Sequence, residues 1–427
     1  MARVRLRSLA LAVLFTSFTA TLPALAIGLD PADPRPAIGP LHAKGVVVWS
    51  HGRSLNSEDA QSPAPAYLGV LRDDAWDILR FDRLSQDDTL GDSSARLVEH
   101  VRTLKREGYR RIVLAGQSFG GFLSLMAADA SADIDAVIAT SPAAYGNFDE
   151  AYDSWRLNAT RLYPLLAQVK RARVMLFYFH GDDFDPGGRG ERSRAILAER
   201  GLGYAVIDQP SHLTGHWAAS TGLFVRRFAG CLRDFADADK LTGEQPCAPR
   251  WGLMPSAELK LPSALTHPDR MRGAPGLAAP DIPVTAGSGG GVMPRPADGV
   301  RDTWYGFYPN GREVVFAIET AHGDNLTGIY AVGPSVDSRQ PSAWNRRAGR
   351  IVDDSFVFEE PGKSTLRFRP RPDGSLAATW ISADGKSLTA ARLRRIDPHS
   401  FLRRDDSSGS APVSAAAAHG EGDEAEN

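Results

Sequence analysis

Cysteine is scarce in this chain, with two residues, Cys231 and Cys247, among 427. No second Cys/His pair accompanies them, so the spacing gives no zinc site, and neither a metal nor another cofactor is expected. An excess of one charge is also missing: 49 Lys and Arg face 51 Asp and Glu, a formal net charge of -2. Such a balance offers no counter-charge to phosphate backbones and no strong pull towards anionic lipid, so nucleic acid is not an expected partner. Long apolar runs are lacking as well. The one near the start, Leu9 to Phe18, is too short to span a bilayer, so no stable membrane anchor is expected.

What that start does carry is an export signal. Arg3, Arg5 and Arg7 form a basic opening, the apolar run follows, and Ala24-Leu25-Ala26 gives a small-x-small cleavage pattern. Residues 1–26 read as a signal peptide and the mature chain as starting at Ile27. No cysteine lies beside that site, which argues against a lipoprotein. An exported protein, periplasmic or secreted, follows. Cys231 and Cys247 flank a polar stretch containing Gly243 and Pro246. In an oxidising compartment they are expected to form a disulfide, contributing roughly 3 kcal/mol in the chain-entropy model.

The chain suits two domains, with boundaries expected at 27–250 and 300–400. From about Lys44 to Asp237 strand and helix patterns alternate. Val46 to Trp49, Trp76 to Phe81, Ile112 to Ala115, Ala136 to Ala139, Val174 to Phe179 and Tyr204 to Ile207 read as strands. Leu97, Val98, Val101 and Leu104 mark one face of a helix over Ser93 to Glu107, ending at Gly108. Further helices are expected from Phe119 to Ala128, 189 to 200 and 216 to 235. This alternation predicts an α/β fold, a mostly parallel sheet flanked by helices. Pro, Gly and Ala crowd 251–299, a linker with little to bury.

Periodicity then changes. Trp304 to Tyr308, Glu313 to Ile318, Gly328 to Val332, Ser355 to Phe358, Thr365 to Phe368, Leu376 to Ile381 and Leu388 to Leu393 read as short strands. Asn310-Gly311, Asp373-Gly374 and Asp384-Gly385 mark hairpins. A smaller antiparallel all-β domain, sandwich or small barrel, is expected. Residues 401–427 are Ser, Ala and acidic residues without an aromatic after Phe401, a composition that predicts a disordered tail.

The chemistry-bearing motif is Gly116-Gln117-Ser118-Phe119-Gly120, entered by the apolar run Ile112 to Ala115 and left by a small-residue helix. A glycine-rich turn with an ordinary serine is the plain reading of five such residues alone. The strand before and helix after favour a nucleophile, because flanking glycines let the backbones close up and push the serine outward. A serine hydroxyl needs a base, and the base an orienting carboxylate. After Val174 to Phe179 comes His180-Gly181-Asp182-Asp183-Phe184-Asp185-Pro186, with three carboxylates in the right loop. Asp185 is preferred for its Asp-Pro step, and Asp183 is the alternative. A calcium loop does not fit, since no later glutamate follows. After Tyr204 to Ile207 comes Asp208-Gln209-Pro210-Ser211-His212-Leu213-Thr214-Gly215-His216. His216, expected to open the next helix, is preferred as base over His212. For an oxyanion hole, Phe119 supplies one backbone N–H, and Arg53 or Ser54, in the loop Ser50-His51-Gly52-Arg53-Ser54, the other. His51 reads as an orienting residue of that loop.

Serine, then acid, then histidine, each past a strand, is the chain order of the α/β-hydrolase family, which the segment from about Lys44 to Asp237 resembles. His51-Gly52 stands where that family's oxyanion loop begins. The resemblance implies a serine hydrolase working through an acyl-enzyme, most often on a small ester or acyl substrate. An acyltransferase or peptidase with the same triad, or an inactive envelope-binding protein, are the alternatives. The acid loop carries one residue more than the common His-Gly-x-x-Asp spacing, which leaves the choice of Asp open.

Tyr145, Phe148, Tyr152, Trp155 and Tyr163 could wall an acyl pocket, or could be core. A small open site favours short or medium acyl esters. The β-rich part could take a polysaccharide or lipid through Trp304, Tyr305, Phe307, Tyr308 and Tyr330, although strand spacing favours a core role for them.

Overall fold

The computed structural model describes residues 29–33, 35–53, 63–83, 89–247, 256, 258–262, 265, 302–336, 339–359 and 362–396. The expected signal peptide, most of the expected linker, the tail and Ser54 lie outside them.

In chain order the first unit runs β1 (Leu29–Pro31), β2 (Gly45–Ser50), α1 (Gly69–Asp73), β3 (Trp76–Phe81), α2 (Leu90–Glu107), β4 (Ile112–Gln117), α3 (Phe119–Ala130) and β5 (Ala136–Thr140). Three short helices follow, α4 (Tyr152–Trp155), α5 (Leu157–Thr160) and α6 (Leu162–Gln168). It ends with β6 (Arg173–Tyr178), α7 (Arg189–Glu199), β7 (Gly203–Asp208), α8 (Gly222–Asp237) and β8 (Gly243–Glu244). The strands form one sheet in the order β1-β3-β2-β4-β5-β6-β7-β8, parallel except for the β1 edge.

Every residue of β2, β4, β5 and β6 is buried, as expected for strands covered on both faces. Alternation divides their side chains between two cores. Val46, Val48, Leu114, Val137 and Leu176 pack with α2, α3 and α6. Val47, Trp49, Val113, Ile138, Met175 and Phe177 pack with α1 and α8 on the other side. The Leu97, Val98, Val101, Leu104 face of α2 is buried as the periodicity predicts. Its start lies earlier than expected, because Thr89 caps it by accepting from Asp92 N at 3.0 Å.

One expected boundary is corrected. His216 does not open a long helix: a single 3-10 turn, Ala218–Ser220, follows it, and Thr221 then caps α8 through Phe224 N. His216 therefore stays in the loop. Cys231 on α8 is bonded to Cys247 just past β8, with their Cα atoms 5.5 Å apart.

The second unit is a closed antiparallel barrel of eight consecutive strands. They are β9 (Asp302–Phe307), β10 (Glu313–His322), β11 (Asn325–Val332), β12 (Ala343–Val352), β13 (Ser355–Phe358), β14 (Thr365–Pro370), β15 (Leu376–Ile381) and β16 (Leu388–Ile396), with β16 pairing back to β9. Of the two architectures the hairpins allowed, the barrel is the one formed. Gly311, Gly374 and Gly385 turn their hairpins at φ of 78°, 78° and 69°. Strand β12 has no counterpart among the seven expected. Its outward positions carry Arg346, Ala348 and Arg350, so it lacks the apolar alternation of its neighbours.

The barrel interior is filled. Phe316 stacks on Phe368 with ring centroids 3.9 Å apart, and Trp304, Tyr330, Phe356 and Phe358 close around them. Tyr308 and Tyr330 bond each other through their hydroxyls at 2.9 Å. Four of the aromatics named for sugar stacking are thus buried and Phe307 is half-buried. They pack the fold instead of presenting a platform.

Barrel and sheet meet at α8. A side chain at Gly222 would run into the carbonyl of Tyr308. Beside it Arg226 Nη2 donates to Glu313 Oε2 at 3.3 Å. Glu313 also accepts from Tyr305 Oη at 2.6 Å, Ser256 N at 2.7 Å and Ser256 Oγ. Both charged groups are buried, at 1% exposure.

Candidate active site

The carboxyl ends of β2, β4, β6 and β7 bring four loops to one end of the sheet, where open α/β sheets bind ligands. Ser118 follows β4 directly, at φ 54° and ψ -118°, outside the basins open to an L-residue without strain. The two glycines of the motif make this turn feasible. A Cβ on Gly116 would overlap the Gly120 carbonyl, and one on Gly120 would overlap the Ser50 carbonyl. Strand, helix and neighbouring strand approach too closely for any side chain there. Ser118 Oγ lies 3.4 Å from the Ala143 carbonyl, which accepts its hydrogen bond.

His216 Nδ1 and Asp182 Oδ1 are 2.8 Å apart. Asp182 Oδ1 also accepts from Phe184 N at 2.9 Å. Burial alone would raise the Asp182 pKa. The His216 hydrogen bond and charge, the Phe184 amide and the Arg189 charge outweigh it and hold the carboxyl below its usual value. The two loops are joined as well as touching: His180 and Thr214 form a parallel bridge, and Gly215 N donates to His180 O at 2.9 Å. Gln117, the residue before the serine, donates from Nε2 to the His216 carbonyl at 3.4 Å. The ring of Phe184 lies 4.2 Å from the imidazole.

The carboxylate that reaches the histidine is therefore neither of the two expected. Asp185 accepts from Gly187 N at 2.8 Å and from Arg189 Nε at 2.7 Å, which turns it towards the start of α7. Asp183 is exposed; its carbonyl, not its carboxylate, binds Phe148 N and Trp155 Nε1. Asp182 was present in the loop from the start, but nothing local distinguishes three neighbouring carboxylates. His212 is exposed, at φ 65° in the turn before His216.

On the donor side, Phe119 N belongs to the first turn of α3, where amides have no intrahelical acceptor. The loop after β2 packs onto the elbow so closely that a Cβ on Gly52 would overlap Gln117 Oε1. A residue the sequence reading missed holds that loop. Arg83, 3% exposed, donates from Nη1 to His51 O at 3.0 Å and from Nη2 to Gly52 O at 3.1 Å. Its guanidinium lies over the Phe119 ring at 4.8 Å, and that of Arg53 at 5.5 Å. Arg83 stands two residues past β3, in no recognisable motif.

The fold is the α/β-hydrolase fold. A mostly parallel sheet carries the strained serine after β4 and the acid and histidine after β6 and β7. No protein-family model matches the chain, and no curated protein is similar to it. Among solved structures, it is similar to Est1E from Butyrivibrio proteoclasticus at 21% identity over 48% of this chain and 90% of that one, with a TM-score of 0.34. It is similar to an esterase from Pyrococcus furiosus at 14% identity, over 45% and 82% of the two chains, with a TM-score of 0.34. An acylaminoacyl peptidase from Pyrococcus horikoshii matches at 16% identity, over 43% and 35%, with a TM-score of 0.35. Likenesses this distant carry no information about substrate.

The aromatic segment after β5 divides in two. Tyr145 and Tyr163 pack against the sheet core. Phe148, Tyr152 and Trp155 form their own cluster, with Tyr152 and Trp155 stacked at 6.1 Å, and with Phe148 and Tyr152 about half exposed. Asn158, fully buried, fixes this segment to the acid loop by donating to Phe184 O at 3.0 Å. Among the described residues no group of acidic, His and Cys side chains could hold a metal ion.

Proposed function

We propose that the protein is an exported serine hydrolase that cleaves carboxylic esters through an acyl-enzyme on Ser118, His216 and Asp182. The observation that carries this is the strained Ser118 elbow at the same sheet end as the His216–Asp182 pair. Asp182 accepts the Nδ1 proton, which leaves Nε2 of the neutral imidazole free to act as base.

In the proposed reaction Ser118 Oγ attacks the ester carbonyl carbon and its proton passes to His216 Nε2. The tetrahedral oxyanion is held by the amide of Phe119 and by one from the loop after Gly52, that of Arg53 or Ser54. As the intermediate collapses, the carbon–oxygen bond to the alcohol breaks and the imidazolium returns its proton to the leaving oxygen. Water, deprotonated by His216, then releases the acid. The half-exposed Phe148 and Tyr152, with the partly buried Trp155, offer an open apolar face beside the acid loop, which suits short or medium acyl groups better than long chains. The disulfide between Cys231 and Cys247 fits an oxidising compartment.

A fluorophosphonate probe tests the reading. Labelling of the wild type and not of Ser118→Ala is expected, together with hydrolysis of nitrophenyl acetate and butyrate. Absence of labelling in the wild type would overturn it, and cleavage of long-chain esters alone would overturn the substrate class.

A further inference from the structure

Asn158 lies in α5 at 0% exposure and uses every hydrogen-bonding position of its side chain. Oδ1 accepts from Ala144 N at 2.9 Å and from Tyr145 N at 3.0 Å. Nδ2 donates to Gly146 O at 2.8 Å and to Phe184 O at 3.0 Å. Two amides on one side and two carbonyls on the other fix which end of the side chain is oxygen. Three of these partners are consecutive residues after β5, and the fourth is in the acid loop, 26 residues beyond Asn158.

Phe184 connects this buried amide to the site. Its N–H donates to Asp182 Oδ1 at 2.9 Å, and its ring lies 4.2 Å from the His216 imidazole, tilted by 34°. Its carbonyl is the one that Asn158 holds. The peptide that supplies the N–H is pinned at its other end too: Asp183 O accepts from Phe148 N at 3.0 Å and from Trp155 Nε1 at 3.1 Å. On the opposite side, Ala144 directly follows Ala143, whose carbonyl accepts from Ser118 Oγ. Asn158 itself bonds none of Ser118, His216 and Asp182 among the described residues, yet its partners adjoin all three.

The acid loop needs such support. Gly181 precedes Asp182 and Gly187-Gly188 closes the loop, all at positive φ, so the loop's own backbone does little to stiffen it. A carboxylate and an imidazole keep their geometry only as well as the loops that carry them, and a misplacement of about 1 Å can cost roughly a hundredfold in rate.

We infer that Asn158 is a positioning residue for the hydrolysis, holding Phe184 so that its N–H orients Asp182 and its ring backs the His216 imidazole. The inference rests on the reading of Ser118, His216 and Asp182 as a triad. It assigns the segment after β5 a second task besides offering an apolar face, that of bracing the acid loop.

Steady-state kinetics of the full chain on nitrophenyl acetate test it, with circular dichroism melts confirming that each variant is folded at the assay temperature. Phe184→Ala truncates a half-buried ring and keeps the backbone contacts; it should lower kcat about tenfold, with KM within about twofold of the wild type. Asn158→Ala should lower kcat about a hundredfold, again with little change in KM. Because both act by one route, the double variant should fall no more than about threefold below Asn158→Ala, where independent effects would multiply to about a thousandfold. Should Asn158→Ala not fold, Asn158→Asp takes its place in the cycle, since it keeps the acceptor for Ala144 and Tyr145 and loses the amide donor to Phe184. Wild-type kcat in these variants, losses that multiply in the double variant, or a change confined to KM would overturn the inference, while fluorophosphonate labelling of the wild type would leave the triad reading standing. A wild type neither labelled nor active would overturn both.

Discussion

His216 is held by Asp182 across 2.8 Å, whereas Asp185, three residues on, is held by Arg189 across 2.7 Å. The two contacts divide the acid loop. The carboxylate next to the strand end faces the histidine loop, because the His180–Thr214 bridge draws the two loops together there. The later one has turned away to meet α7.

Asp182→Asn is accordingly expected to lower kcat for nitrophenyl acetate by roughly a thousand- to ten-thousand-fold, because the amide would favour the wrong imidazole tautomer. Asp185→Asn and Asp183→Asn should each keep kcat within the same order of magnitude as the wild type. The larger loss falling on Asp185→Asn would sink the assignment.

Arg83 holds the loop after β2, the proposed oxyanion loop, from behind, through the carbonyls of His51 and Gly52. Arg83→Met should lower kcat by roughly a hundredfold with little change in KM, the pattern of a lost transition-state contact. Arg83→Lys, which can reach one carbonyl but not both, should recover part of it. A rise in KM alone would mean that the residue serves substrate binding instead.

The depressed pKa of Asp182 makes stability depend on pH. Its folded value lies below the usual 3.8, so its contribution is complete above that pH and is lost as pH falls through the folded value. Denaturant titrations of wild type and Asp182→Asn should therefore show a difference that is constant at and above pH 5 and shrinks below about 3.8. A difference that grows on acidification would contradict the direction of the shift.

Glu313 joins the barrel to the sheet through Arg226, at 1% exposure on both sides. Glu313→Ala removes the buried carboxylate from this guanidinium, which keeps Glu258 Oε2 at 3.4 Å, and should cost about 3 kcal/mol, the lower end of the range for breaking a buried pair. Replacing the pair together, Arg226→Met with Glu313→Leu, should recover most of that. Calorimetry checks both, and a single variant as stable as the wild type would show that the junction carries no energetic weight.

Much of this protein was legible in the chain because the signals are local. Apolar runs gave six of the eight strands of the sheet, the short edge strands β1 and β8 having none, Gly108 closed a helix whose buried face was readable although its Thr89 cap was not, and the Asn-Gly and Asp-Gly steps marked barrel hairpins. Strand β12 escaped because its outward face is arginine and alanine, and a strand whose alternation is polar looks like a loop until its neighbours pair with it. The start of α8 was misplaced because Thr221, not His216, supplies the cap.

By itself the sequence determined which turn carries the strained serine, since Gly116, Ser118 and Gly120 encode a close approach within five residues. It also narrowed the acid and the histidine to one loop each. Only the tertiary structure decided that Asp182 meets His216 and that Arg83 grips the loop before the elbow. Those pairings join residues from different strands. They depend on parallel register and on which side of each strand end a loop leaves, and neither is written in any short stretch of residues.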